Sequence, residues 1–82
     1  MLKIGDLVEV SKGTQSRLRE RGYVADYMKT SVDGKIGVVV EDYRHIAEFP
    51  HLAVELGFDY PVGIAEADLA KLDKIAIDKF KK

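Results

Sequence analysis

The stretch Asp33-Gly34-Lys35-Ile36-Gly37-Val38-Val39-Val40-Glu41-Asp42 decides the fold class. Asp-Gly is a strong turn signal, and the β-branched run after it reads as a strand over Lys35 to Asp42. Gly37 inside that run marks a bulge or a close approach of another backbone. Upstream, the Gly5-Asp6 turn leads into Leu7-Val8-Glu9-Val10, a first strand with Val8 and Val10 on one face and Leu7 and Glu9 on the other. Lys12-Gly13 breaks this pattern, and Thr14 or Ser16 caps a short helix over about Gln15 to Arg21, stopped near Gly22 by a left-handed residue. An irregular stretch from Tyr23 to Ser31 completes a long first loop.

Downstream, Tyr43 to Pro50 reads as a turn and linker, and His51 to Leu56 alternates as a third strand with Leu52, Val54 and Leu56 on one face. After Gly57, Phe58 to Ile64 is a fourth extended piece whose Pro61 places it at an edge or a bulge. Glu66 to Ala70 suits a single helical turn. Lys71 to Phe80 fits a strand through Leu72, Ile75 and Ile77, or a helix through Leu69, Leu72, Ala76 and Phe80. We expect a short strand, then a helical or frayed tail. The chain is thus expected to be mainly β and antiparallel.

With 82 residues there is one core to build, because so short a chain buries only ~60% of its extended surface. Hydrophobic residues at 46% and charged ones at 33% exclude a wholly disordered or fibrous chain. Thirteen Lys and Arg against 14 Asp and Glu give a net charge of −1, so no global field draws the protein to polyanions. A cysteine count of 0 excludes disulfide scaffolds, thiolate nucleophiles and zinc ribbons, and a cytoplasmic location is expected. In the opening MLKIGDLVEV, Asp6 and Glu9 interrupt the apolar run that an export signal needs. The apolar run Val38 to Val40 is far short of the ~20 residues that span a bilayer, and Lys79, Lys81 and Lys82 read as a solvated tail. No membrane partner is expected.

Four motifs in order carry a family resemblance. Ile4 to Val10 resembles the "GDxVxV" start of the SH3-like barrels of electron-transport accessory proteins, and Gly34 to Val39 is similar to their "GxxGxV" second strand. Phe49 to Leu56 is similar to their third strand, and Ala65 to Leu69 to the acidic turn before the closing one. The group includes the variable chain of ferredoxin-thioredoxin reductase and the C-terminal barrel of the nitrile hydratase β chain. The resemblance implies a small SH3-like antiparallel barrel over about residues 4–77 with a tail at 78–82, in one domain. It also implies an accessory role, since in those families the barrel clasps a separate catalytic chain that holds the metal or cluster. Lys12 to Ser31 has no counterpart there.

The chemistry-bearing residues point away from catalysis. His45 and His51 are the only histidines, separated by Pro50, and do not supply converging metal ligands, so no metal and no cofactor are expected. Ser11, Ser16 and Ser31 lie in polar loops without a nucleophile elbow, and Glu41-Asp42 and Glu66 with Asp68 read as solvated faces. We therefore expect no enzyme. Two binding surfaces compete. Lys12, Arg17, Arg19 and Arg21 beside Tyr23 and Tyr27 mix charge with stacking surface as single-stranded nucleic acid requires, but alternate spacing fans the arginines around a helix and Glu20 and Asp26 dilute them. Tyr23, Tyr27, Tyr43, Phe58 and Tyr60 are more aromatic surface than so small a core hides, which favours a protein partner. The expected function is a non-catalytic protein-interaction module or accessory subunit, with nucleic-acid binding through the basic loop as the alternative. Arg17, Arg19, Arg21, Tyr23, Tyr27, Tyr43 and Tyr60 are the candidate surface.

Overall fold

A computed structural model describes residues 2–26, 28, 30–46 and 48–72. It contains β1 (Leu7–Val10), α1 (Thr14–Glu20), β2 (Ile36–Tyr43), β3 (His51–Glu55), β4 (Val62–Ile64), a 3₁₀ turn at Glu66–Asp68 and β5 (Leu69–Lys71). The strands form one antiparallel sheet in the order β4-β3-β2-β1-β5. The mainly β, antiparallel expectation is met. Among the described residues β4 and β5 are the two edges of an open sheet, with no ladder joining them. No helix among these residues is long and apolar enough to cross a membrane.

Alternation in the strands builds the core. Val8 and Val10 of β1, Val39 of β2, Leu52 and Val54 of β3, and Val62 and Ile64 of β4 are buried together. Leu18 from α1 and Val32, Met28, Phe49 and Leu56 from the connections join the same cluster.

At Gly37 the end of β3 comes close to β2. A Cβ there would overlap the Glu55 carbonyl oxygen and lie 2.7 Å from Leu56 Cδ2. The expected close approach is therefore present at Gly37, whereas the bulge falls three residues later. Pairing steps from Val39 opposite Val54 to Glu41 opposite Ala53, leaving Val40 as the extra residue.

The long first loop is held by polar contacts from outside the helix. Neither Thr14 nor Ser16 caps α1; the N-cap is Gly13 at φ 91°, and no side chain at that position bonds the helix end. Asp33 does so from the turn before β2, accepting from Gly13 N–H at 3.0 Å and from Gln15 N–H at 2.9 Å. Gln15 returns the contact by accepting from Val32 N–H at 3.1 Å, and the Thr14 hydroxyl donates to the Ser11 carbonyl at 2.8 Å. At the other end the expected stop is found. Gly22 takes φ 77°, its N–H donates to Arg19 O at 3.1 Å, and Tyr23 N–H donates to Leu18 O at 2.9 Å.

Other expectations shift. The fourth strand is confined to Val62–Ile64 instead of starting at Phe58, since Pro61 has no N–H to offer a ladder. The helical turn shrinks to Glu66–Asp68, and the last strand starts at Leu69 because β1 is there to pair with: Val10 faces Leu69 and Val8 faces Lys71. Ile75, Ile77, Phe80 and the helical or frayed tail lie outside the described residues. Tyr43 to Pro50 is not all linker, since Tyr43 closes β2 and Phe49 is buried. Arg44 organises that turn. Its guanidinium donates to Asp42 at 2.8 and 3.0 Å, to Glu66 at 2.9 Å and to the Leu2 carbonyl at 2.7 Å.

Two outcomes follow for stability. Gly37→Ala should destabilise the fold by about 3 kcal/mol, at the top of the range for overpacking because the obstruction is backbone, and Gly37→Val should cost more. Urea unfolding measures both, and a parent-like midpoint for Gly37→Ala would refute the crossing. Asp33 is held below the usual carboxylate range by the N–H groups of Gln15 and Gly13, and Asp42 is lowered to about 2 by its hydrogen bonds from Arg44. A carboxyl whose folded pKa is depressed adds stability above its unfolded value, about 3.9, and loses it as the group protonates in the fold. The melting temperature should therefore fall between about pH 4 and 2, with a smaller fall in Asp42→Asn.

Candidate functional site

The expected basic cluster is dispersed. Arg17 chelates Asp68, with Nη2 2.6 Å from Oδ1 and Nε 3.3 Å from Oδ2, which ties α1 to the 3₁₀ turn. Arg19 is exposed on α1, and Lys12 is exposed ahead of it. Arg21, just past the helix, puts its guanidinium carbon 4.9 Å from the centre of the Phe49 ring. Residues two apart on a helix point ~200° from each other, so Arg19 faces away from Arg17 and Arg21 and the three do not make one stripe.

The aromatic residues are brought together instead. Tyr23, 49% exposed, stacks on Phe49 with ring centres 4.7 Å apart at 14°. Phe49 stacks on His51 at 5.0 Å and 22°, and His51 meets Tyr43 at 5.2 Å and 37°. The row Tyr23, Phe49, His51, Tyr43 joins the end of the first loop to β2 and β3. Phe58 is half-buried against the core with Lys35 Nζ 5.5 Å from its ring centre, and Tyr60 is 64% exposed. Tyr27 lies outside the described residues. Phe49 and His51 are the members that the sequence reading missed, although their i, i+2 spacing in extended chain puts them on one side.

Beside this row the outer face of β2, β3 and β4 is hollow. Ala53 and Gly63, opposite one another, supply almost no side chain, so the floor is low. Val40, Glu41 and Tyr43 stand on one side, His51 and Pro61 complete the lining, and the groove encloses about 500 Å³. A smaller cavity of about 270 Å³ adjoins it, lined by Tyr23, Phe49, His51, Val62 and Gly63. His51 and Gly63 belong to both.

The bulge makes the groove wall. Were Val40 paired regularly with Ala53, alternation would turn Glu41 to the core opposite Leu52. With Val40 as the extra residue, Glu41 is opposite Ala53 and Tyr43 opposite His51, both outside, while Asp42 turns to the other side and takes Arg44. His51 is oriented by its Nδ1, 2.6 Å from the Phe49 carbonyl oxygen. A carbonyl only accepts, so Nδ1 carries the proton and Nε2 of the neutral ring is left as an acceptor. The ring edge bearing Cδ2 and Nε2 lies over Gly63.

Chemically the site is an aromatic and apolar groove whose side-chain acceptors include the Glu41 carboxylate, His51 Nε2 and the Tyr43 hydroxyl oxygen. Among the described residues no three His, Asp or Glu side chains gather where a metal ion would sit. No protein-family model matches this chain, and no curated protein matches it either. Function has to be read from the groove itself.

Gly63→Ala tests the groove geometry. The added methyl would lie 2.7 Å from His51 Cδ2, and a ring that can swing gives way at a cost of about 1 kcal/mol or less. The His51 ring-proton NMR signals, displaced by Phe49 and Tyr43, should then move toward unstacked values. Unchanged signals would refute the stack.

Proposed function

We propose that this protein is a non-catalytic binding module of SH3-like type that docks a protein partner in the groove of the β2-β3-β4 face. The observation that carries this is the aromatic row set beside an open, small-residue floor, because exposed aromatics around a concave apolar surface are what protein anchors bury. The SH3-like architecture is supported by the 3₁₀ turn before the last strand, by the return of β5 to β1 and by the tight crossing of β3 over Gly37. An accessory role in the cytoplasm agrees with the motif order in Ile4 to Leu69 and with a cysteine-free chain. Tyr43 and Tyr23 are the anchoring surface, with Tyr23 backed by the buried ring of Phe49, and the exposed Tyr60 precedes Pro61 of the groove lining. The nucleic-acid alternative needs Lys12, Arg17, Arg19 and Arg21 to face phosphates together, and Arg17 is already held by Asp68.

Affinity capture from the source cell, read in parallel with oligonucleotide binding, tests the choice. A retained protein should be released by Tyr43→Ala combined with Tyr23→Ala and should stay bound to Arg19→Glu. A single-stranded oligonucleotide that binds saturably, with a log-log salt slope of about −0.7 per phosphate and loss of binding in Arg19→Glu, would overturn the proposal.

A further inference from the structure

We infer that the groove takes a basic side chain, lysine or arginine, carried by an extended segment of the partner; this rests on the protein-docking reading above. Charge complementarity selects that occupant. Among the described residues, those lining the groove include one carboxylate, Glu41, and no lysine or arginine. Among the described residues Glu41 has no ion-pair partner, since the pairs formed are Arg17 with Asp68, Arg44 with Asp42 and Glu66, and Lys71 with Asp6.

The nearby cations are occupied elsewhere. Arg44 follows β2 by one residue, yet its donors are spent on Asp42, Glu66 and the Leu2 carbonyl. Arg21 sits against Phe49, which lines the adjoining cavity and not this groove. The backbone irregularity that leaves Val40 unpaired puts Glu41 on this face, so the carboxylate belongs to the build of the groove wall.

The remaining lining matches the rest of such a side chain. Val40, Ala53, Pro61 and Gly63 form an apolar bed suited to a methylene stem, which lysine and arginine bury readily. At the head of the stem, Glu41 offers charge-assisted hydrogen bonds, Tyr43 offers the face or edge of an aromatic ring, and His51 Nε2 offers a neutral acceptor. An acidic residue would meet the Glu41 carboxylate. A purely apolar one would leave that carboxylate desolvated without a partner.

The test is an NMR titration of the 15N-labelled full chain with capped extended pentapeptides that differ only in the central residue: arginine, lysine, norleucine or glutamate. The arginine and lysine peptides should give saturable shifts centred on Val40, Glu41, Ala53 and Gly63, at least about fivefold tighter than the norleucine peptide. Glu41→Gln should weaken them by about the same factor, and Glu41→Lys should turn the preference toward the glutamate peptide. Equal or tighter binding of norleucine or glutamate in the same groove would overturn the basic occupant while leaving the docking surface in place. Shifts confined to α1, or no shifts with any peptide, would overturn the inference. The capture experiment with the tyrosine variants then decides separately whether a protein docks on this face.

Discussion

Between the Cα of Gly37 and the carbonyl oxygen of Glu55 there is room for a hydrogen atom and nothing larger. That closeness falls where β2 begins to be paired on both of its edges. Ile36, Gly37 and Val38 pair with Glu9, Val8 and Leu7 of β1, and from Val38 onward β2 is paired with β3 as well. Two strands separate β1 from β4, yet Val8 and Val10 share one buried cluster with Leu52, Val54 and Ile64, so the sheet curves around them with no second sheet among the described residues. For a chain of this length the alternative is a flat sheet with one wet face, which would bury too little apolar surface to offset the ordering of the backbone.

The irregular segments are then fastened to this bent sheet by polar contacts of long sequence separation. Asp33 holds the start of α1 from the turn before β2, Arg17 holds the helix to the turn before β5, and Arg44 joins the end of β2 to both Leu2 and Glu66. Each contact satisfies backbone or charged groups that a small core leaves without partners. The cost to function is specific. Arg17, which a reader of the sequence would assign to ligand binding, is structural, and the groove on the β2-β3-β4 face is lined by aromatic residues and one carboxylate.

Much of the fold is legible in the sequence wherever the signal is local. Alternation at Val8 and Val10 and at Leu52, Val54 and Leu56 places the inward faces, Gly22 stops the helix, and Gly37 announces the crossing, because each depends on a residue's own period or its own missing side chain. The rest is decided by partners. Three valines in a row, Val38 to Val40, are equally good strand residues, so nothing local says which one the ladder will skip. The cap of α1 comes from a residue 18 to 20 positions away. Leu69-Ala70-Lys71 has no β-branched residue, and only the open edge of β1 makes it a strand. Phe49 sits in a segment with turn composition, and its place in the core depends on Tyr23 and Val62 arriving from elsewhere.

The same distinction explains why the candidate site is harder to read than the fold. Tyr23 and Tyr43 were visible as exposed aromatics, but the row they form needs Phe49 and His51 between them, and the groove needs the emptiness of Ala53 and Gly63 beside them. Absence of a side chain carries no motif. The one charged wall of the groove exists because a skipped residue turns Glu41 outward and sends Asp42 to the other side, where Arg44 claims it. One extra residue in β2 thus separates two adjacent carboxylates into different roles: Asp42 is paired with Arg44 as part of the scaffold, and Glu41 stands in the groove without an ion-pair partner among the described residues.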